Sequence, residues 1–258
     1  MLELKKIESF FPSQLRHFKR NILREYLQYK ILEVIFTGRY GQKLVFMGGT
    51  AIHIAYGLPR FSEDLDFDNR GIRQDSFKPL VQEIKEKLSL EGYEVQTSVS
   101  FKGAFSADIK FVKVLFNEGL SGHREEKILI KIDTEPQNFR YSAEKIIINK
   151  FDVFKRINVV PAGILLAQKF YAIFARKRAI GRDFYDAIFL SGKTEPDFAY
   201  LKKRLGIANK GMLQSALLKH CAKLDFRSLS RDVEQFVFSP EDAKKILLFP
   251  DYVRAWNK

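Results

Sequence analysis

A single cysteine, Cys221, stands in a chain of 258 residues. No internal disulfide can form, and no Cys/His set has the spacing of a zinc site. The four histidines, His17, His53, His123 and His220, are scattered along the sequence. There is one tryptophan, no internal repeat and no low-complexity linker. No apolar run approaches the length of a membrane span, and MLELKKIESFF at the N-terminus has neither a signal-peptide core nor a cleavage site. The expectation is a soluble, unprocessed protein of a reducing cytoplasm. Disorder is excluded as well, because hydrophobic residues make up 46 %, enough to build a core.

The chain is instead rich in phenylalanine, with 24, and in positive charge, with 44 Lys and Arg against 31 Asp and Glu, a net +13. The excess is uneven. Residues 161–258 carry +8, while the longer segment 1–160 carries +5. Such a balance attracts polyanions, and each phosphate neutralised releases counterions. A merely solvated basic surface would have the same composition.

Helical spacing of Leu15, Phe18, Ile22, Tyr26 and Ile35 predicts an amphipathic helix over 13–38. A short strand follows from Leu44 to Met47, then Gly48-Gly49, a helix through Tyr56, and a strand at Leu65 to Phe67. A helix is expected over 75–90, ending before Gly92. Alternation predicts strands at 94–101, 106–116 and 127–134, and one or two more within 144–160 around Asn149 and Lys150. From Pro161, a favourable first helical residue, the pattern is helical to the end. The fold class expected is α+β: a core over 1–160 with a mixed sheet flanked by helices, then a basic C-terminal helical bundle over 161–258.

The block FMGGTAIHIAYGLPRFSEDLDFD, residues 46–68, carries the chemistry. Asp64 and Asp66 are two apart in a strand-like segment, so both side chains leave one face while Leu65 and Phe67 turn to the core. Adjacent carboxylates repel unless a cation lies between them, and Mg²⁺ takes one or two carboxylates together with substrate phosphates. Asp68 shares that face and is expected at the strand end, in solvent or behind the metal ligands. Gly48 and Gly49 end a strand and open a helix, where the backbone can approach phosphate and free N–H groups favour anions. Thr50, Arg60 and Ser62 complete a phosphate cradle, with Arg60 neutralising charge. A third carboxylate is needed for a second ion at the attacking hydroxyl. Asp133, closing KILIKIDTEP, is the first candidate, and Asp108 in SADIKF is its competitor. A lone Asp-x-Asp or Gly-Gly means little; their combination at this spacing is specific.

With these residues in place, the sequence resembles the AbiEii/AbiGii toxin family, a branch of the nucleotidyltransferases with a DNA polymerase β-like core. The resemblance rests on MGGTAIHIAYGLPRFSEDLDFD, the strand ending in Asp133, and GILLAQKFYAIFARKRAIGRDFYDAIFL, together about residues 44–190. It implies that Gly48 and Gly49 bind nucleotide and that Asp64 and Asp66 are metal ligands. Lys169 falls at a nucleotide-contacting lysine. Arg182, Asp183 and Asp186 match an Arg-Asp-x-x-Asp element, with Arg182 toward the nucleotide and Asp186 needed for activity. The family's basic residue soon after that lysine is missing, since Phe170 to Ala175 are apolar or aromatic; Arg176, Lys177 and Arg178 follow instead. Asp186 as an ordinary helical ion pair is the plainer alternative.

The implied activity is transfer of a nucleoside monophosphate from a nucleoside triphosphate to an acceptor, with Mg²⁺ or Mn²⁺ and release of pyrophosphate. The resemblance also implies a bacterial toxin–antitoxin or phage-defence role, a cognate antitoxin, and the 3′ end of tRNA as acceptor. The basic C-terminal half suits RNA. The alternatives are a protein or small-molecule acceptor, or a non-catalytic nucleic-acid-binding protein on the same core.

Overall fold

The computed structural model describes residues 2–257. The chain divides into two compact units, Met1–Ala55 with Phe61–Val160, and Tyr56–Arg60 with Pro161–Lys258. Among the described residues no helix is long and apolar enough to cross a membrane.

The first unit opens with α1 (Leu4–Glu8) and α2 (Lys19–Thr37). α2 is shorter than the predicted 13–38: a 3-10 turn at Ser13–Leu15 precedes it, and the backbone leaves helical geometry at Phe18. Residues 25–32 are buried all round the helix, so α2 is a core helix rather than a surface one. There follow β1 (Leu44–Met47), α3 (Gly48–Tyr56), β2 (Leu65–Asn69), α4 (Gln74–Leu90), β3 (Glu94–Ser100) and β4 (Phe105–Val112). β4 stops four residues before the predicted end because Lys113 takes a left-handed conformation (φ 61°) and turns the chain into α5 (Val114–Asn117). β5 (Ile128–Glu135) then leads to β6 (Glu144–Lys150) and β7 (Val153–Val159). The last two form a hairpin that turns at Phe151 (φ 60°), just beyond the polar pair Asn149–Lys150.

The seven strands make one mixed sheet in the order β3-β4-β5-β2-β1-β7-β6. β2 runs parallel to β5 and antiparallel to β1, and β4 is antiparallel to β5. Alternation decides what each face carries: in β5, Ile128, Ile130, Ile132 and Thr134 are buried while Lys131 and Asp133 are half-buried on the other face. Phe46, Phe67, Phe77 and Phe111 are each fully buried in this unit, worth about 1.5–3 kcal/mol apiece as an upper bound.

The second unit is helical: α6 (Ala162–Ala175), α7 (Gly181–Ser191), α8 (Phe198–Leu205), α9 (Lys210–Cys221), α10 (Phe226–Glu234), α11 (Pro240–Ala243) and α12 (Phe249–Arg254). α6 packs on α7 and α8, α10 on α7, and α12 on α9. Leu166, Phe170, Phe184, Leu201, Leu213 and Phe249 are among its fully buried apolar groups. A Cβ on Gly181 would run into the backbone carbonyl of Leu229, so α7 approaches α10 as closely as a glycine permits. The segment Tyr56–Arg60 belongs here too. Arg60 bridges to Val237, and Phe238 N donates to Pro59 O at 3.2 Å.

Candidate active site

β1 delivers the chain to Gly48, whose φ of +79° is a conformation that side-chain-bearing residues rarely adopt. The turn is tight for a second reason. A Cβ at this position would collide with Oδ2 of Asp66 and lie 2.9 Å from its Cγ. The Asp66 carboxylate therefore sits directly against the glycine turn that opens α3, and its place depends on a missing side chain. Gly48→Ala is expected to cost both backbone strain of about 1–3 kcal/mol and most of the activity, because the carboxylate must move. Urea denaturation and a transfer assay check the two parts separately.

Register then gathers the polar groups. Met47, Asp66, Asp133 and Ser106 are successive partners across β1, β2, β5 and β4, so they form one row on one face. Two positions upstream on that face lie Lys131, its β4 partner Asp108, and Asp64 just before β2. Asp64 is exposed, while Asp66 and Asp133 are half-buried. Two carboxylates about 5 Å apart repel by about 3 kcal/mol at an effective permittivity near 20, more than a surface ion pair returns. The row demands positive charge.

Part of it comes from Lys131. Its Nζ lies 3.0 Å from Oδ2 of Asp133, while Oδ1 of the same carboxylate accepts a hydrogen bond from the Ser106 hydroxyl. The bond to Asp133 raises the Lys131 pKa; partial burial opposes this, and the charges of Asp133, Asp64 and Asp108 add to it. Asp108 pairs with Lys110 at 3.3 Å and stands one pleat away from the Asp66–Asp133 row. Among the described residues no three or more His, Cys, Asp or Glu side chains are gathered into a ready-made metal cage. The carboxylates do share one face, and hard oxygen donors of this kind suit Mg²⁺ rather than a soft metal.

The approach to Asp64 is held from inside. Thr50, expected to offer its hydroxyl to phosphate, is fully buried and donates to the backbone carbonyl of Asp64. Gln28 Nε2 donates to the carbonyls of Ser62 and Glu63, both at 3.0 Å. Gln28 was invisible to periodicity because α2 is buried on every side, so a polar residue there breaks no pattern. Asp68 lies at the strand end as expected but away from solvent: it is 3 % exposed and accepts from Gln137 N at 2.8 Å and Tyr141 OH at 2.6 Å.

Arg60, expected to neutralise phosphate, lies in the second unit, 2 % exposed, and donates two bonds of 2.7 Å to Asp186. Lys169 Nζ is 2.8 Å from Asp186 and 3.1 Å from Asp183, and Arg176 Nε is 2.7 Å from the second Asp183 oxygen without the alignment of a hydrogen bond. Burial alone would raise the Asp186 pKa, but the charges of Arg60 and Lys169 outweigh it and hold the carboxyl below its ordinary range. Burial likewise pulls Lys169 down, and Asp186 and Asp183 reverse it. Arg182 lies over the Phe236 ring, 4.4 Å from its centroid. The structure thus places Gly48, Gly49, Thr50, Ser62, Asp64, Asp66 and Asp133 in one unit, and Arg60, Lys169, Arg182, Asp183 and Asp186 in the other.

Residues 30–243 match the family described as "Nucleotidyl transferase AbiEii toxin, Type IV TA system". Among solved structures the chain is similar to JHP933 from Helicobacter pylori, at 17 % identity and a TM-score of 0.56 over 91 % of each chain. It is also similar to another H. pylori protein, provisionally named a nucleotidyltransferase, at 17 % identity and a TM-score of 0.55 over 91 % of this chain and 94 % of that one. At that identity the likeness is one of fold. No curated relative matches the sequence.

Proposed function

The chain belongs to the AbiEii family of nucleotidyltransferase toxins of type IV toxin–antitoxin systems, and on that premise we propose that it transfers a nucleoside monophosphate from a nucleoside triphosphate to an acceptor hydroxyl at the Asp66–Asp133 row, releasing pyrophosphate. The observation that carries this is the Asp66 carboxylate seated against Gly48 with Asp133 beside it in register. It puts an anion-accepting helix start and a cation-demanding pair within one turn of each other.

The residues divide the work. The N–H groups at Gly48 and Gly49 receive phosphate oxygens at the start of α3. Asp64 and Asp66 would hold Mg²⁺, with Asp133 as a third ligand. Bound there, the ion would neutralise the triphosphate and lower the pKa of the attacking hydroxyl. Asp133 already accepts a hydrogen bond from one hydroxyl, that of Ser106, which is the contact an acceptor hydroxyl needs while its proton departs. Lys131 lies against the other oxygen of that carboxylate and balances its charge. Thr50 and Gln28 fix the backbone that presents Asp64. In the second unit Asp186 keeps Arg60 and Lys169 charged and in place. Catalysis of this kind is positioning and charge neutralisation.

For the acceptor we propose the 3′ end of tRNA, on the strength of the +8 charge of residues 161–258, with the reaction cytoplasmic and an antitoxin as cognate partner. The test is incubation with Mg²⁺, each α-labelled nucleoside triphosphate in turn, and total RNA with cell extract. Label on tRNA is expected. Label on protein or a small molecule replaces the acceptor, and no transfer with any triphosphate overturns the activity.

A further inference from the structure

Beyond the carboxylate row, β2 and β5 run out into loops that border an open groove of about 820 Å³. Its floor is Asp68 and Asn69; its walls include Arg70, Phe139, Arg140 and Tyr141. Side chains alternate along β2, so Asp68 lies on the same face as Asp64 and Asp66, and the groove begins one pleat period, about 7 Å, from Asp66. It lies at the end of the strands away from the glycine turn: β1 pairs Met47 with Asp66 but Leu44 with Asn69.

The walls are held rigid from below. A carboxylate as buried as Asp68 is costly unless its lone pairs are filled, and groups of the groove fill them. Tyr141 OH donates at 2.6 Å, and Arg70 Nε approaches at 3.4 Å. Arg70 also donates to the Tyr141 carbonyl at 3.1 Å and lies over the Tyr141 ring, 4.1 Å from its centroid. Phe139 stacks on Tyr141 with planes 25° apart. Arg140 is exposed. Asp68 thereby neutralises little outside the floor, and it sets a guanidinium–aromatic stack with a second arginine beside it. Flat π faces, guanidinium planes and free positive charge are what unstacked bases and their phosphates require; a duplex hides its base faces.

We propose that this groove binds single-stranded RNA, holding the nucleotides just inward of the acceptor end while that end lies at Asp66. The proposal rests on the reading of the acceptor as RNA. A free nucleoside triphosphate is the less fitting occupant, because its phosphates belong at Gly48, at the opposite end of β2.

The test is fluorescence anisotropy of a labelled 12-nucleotide single-stranded RNA, the same RNA in a duplex, and the single strand in competition with ATP, using the full-length protein without Mg²⁺ so that no transfer occurs. Single-strand binding is expected to exceed duplex binding and to resist ATP. Arg140→Ala is expected to weaken it about 5- to 10-fold and to reduce the salt slope by about 0.7. Arg140→Lys is expected to restore the slope but not the full affinity, since it keeps the charge and loses the stacking plane. Tyr141→Phe, which keeps the ring but frees Asp68, is expected to weaken binding as well, with folding checked by its thermal transition. Preference for duplex, displacement by ATP, or binding unchanged in Arg140→Ala overturns the groove even if tRNA is labelled in the transfer assay. Transfer to protein or a small molecule, with no RNA binding by the wild type, overturns the RNA reading and the groove with it.

Discussion

Asp66→Asn is expected to lower nucleotide transfer by about three orders of magnitude while leaving the fold intact. The substitution keeps volume and shape at a half-buried strand position, so packing against Gly48 is preserved. What it removes is one negative charge from a row in which Asp66 and Asp133 are direct partners. Losing a charge-stabilising group aimed at the reacting phosphate typically costs 10²–10³ in rate, and about 1.36 kcal/mol of barrier corresponds to each tenfold. Calorimetry separates these effects: Mg²⁺ with nucleoside triphosphate should raise the melting temperature of the wild type, through preferential binding to the folded state, and should raise that of Asp66→Asn far less. Undiminished transfer by the variant would remove Asp66 from the reaction.

Asp186→Ala is expected to destabilise the protein by about 3–5 kcal/mol, the usual cost of leaving a buried charge without its partner. Arg60 is 2 % exposed and spends two hydrogen bonds on this one carboxylate, and Lys169 depends on it as well. Urea titration measures the loss. The double variant Asp186→Leu with Arg60→Met should recover a good part of it, since well-packed apolar replacements of buried pairs are often neutral; failure to recover would mean that the stability arises elsewhere. The pH dependence follows from the sign of each shift. Asp186 has its pKa depressed in the folded state, so its contribution is present above about pH 4, the unfolded value, and fades as pH falls through the folded one. Lys169 is shifted upward; its contribution is present below about pH 10 and fades only as pH rises through the folded value. Between these limits the cluster should hold stability flat, and Asp186→Ala, which lacks the titrating carboxyl, should be less stable at neutral pH but lose stability less steeply with acid than the wild type.

The glycines and the first two carboxylates were legible because they lie close together in sequence, where strand alternation is a local rule. Asp133 was legible for the same reason, as the charged residue on the polar face of an isoleucine-lined strand. The end of β4 was not, because a left-handed lysine has no periodic signature. Thr50 and Gln28 escaped in opposite ways. The threonine looked like a phosphate contact and is buried beneath the loop it pins; the glutamine looked like one more residue of a helix and supplies two of that loop's hydrogen bonds. Arg60 shows the limit most clearly. Two residues before Ser62, it reads as part of the phosphate cradle, yet its partner Asp186 is 126 positions away.

The sequence by itself determined which residues share a face, since side-chain direction is set by the chain's own period of two or of 3.6. It also determined the balance of charge and the family. Only the tertiary structure decided which faces meet. The register of β2 on β5 brings Asp66 to Asp133, and the return of Tyr56–Arg60 to the second unit converts an expected phosphate ligand into a buried ion pair. The physical reason is that pairing between distant segments is chosen by the packing and desolvation of the whole core, and those energies are written in no local stretch of residues.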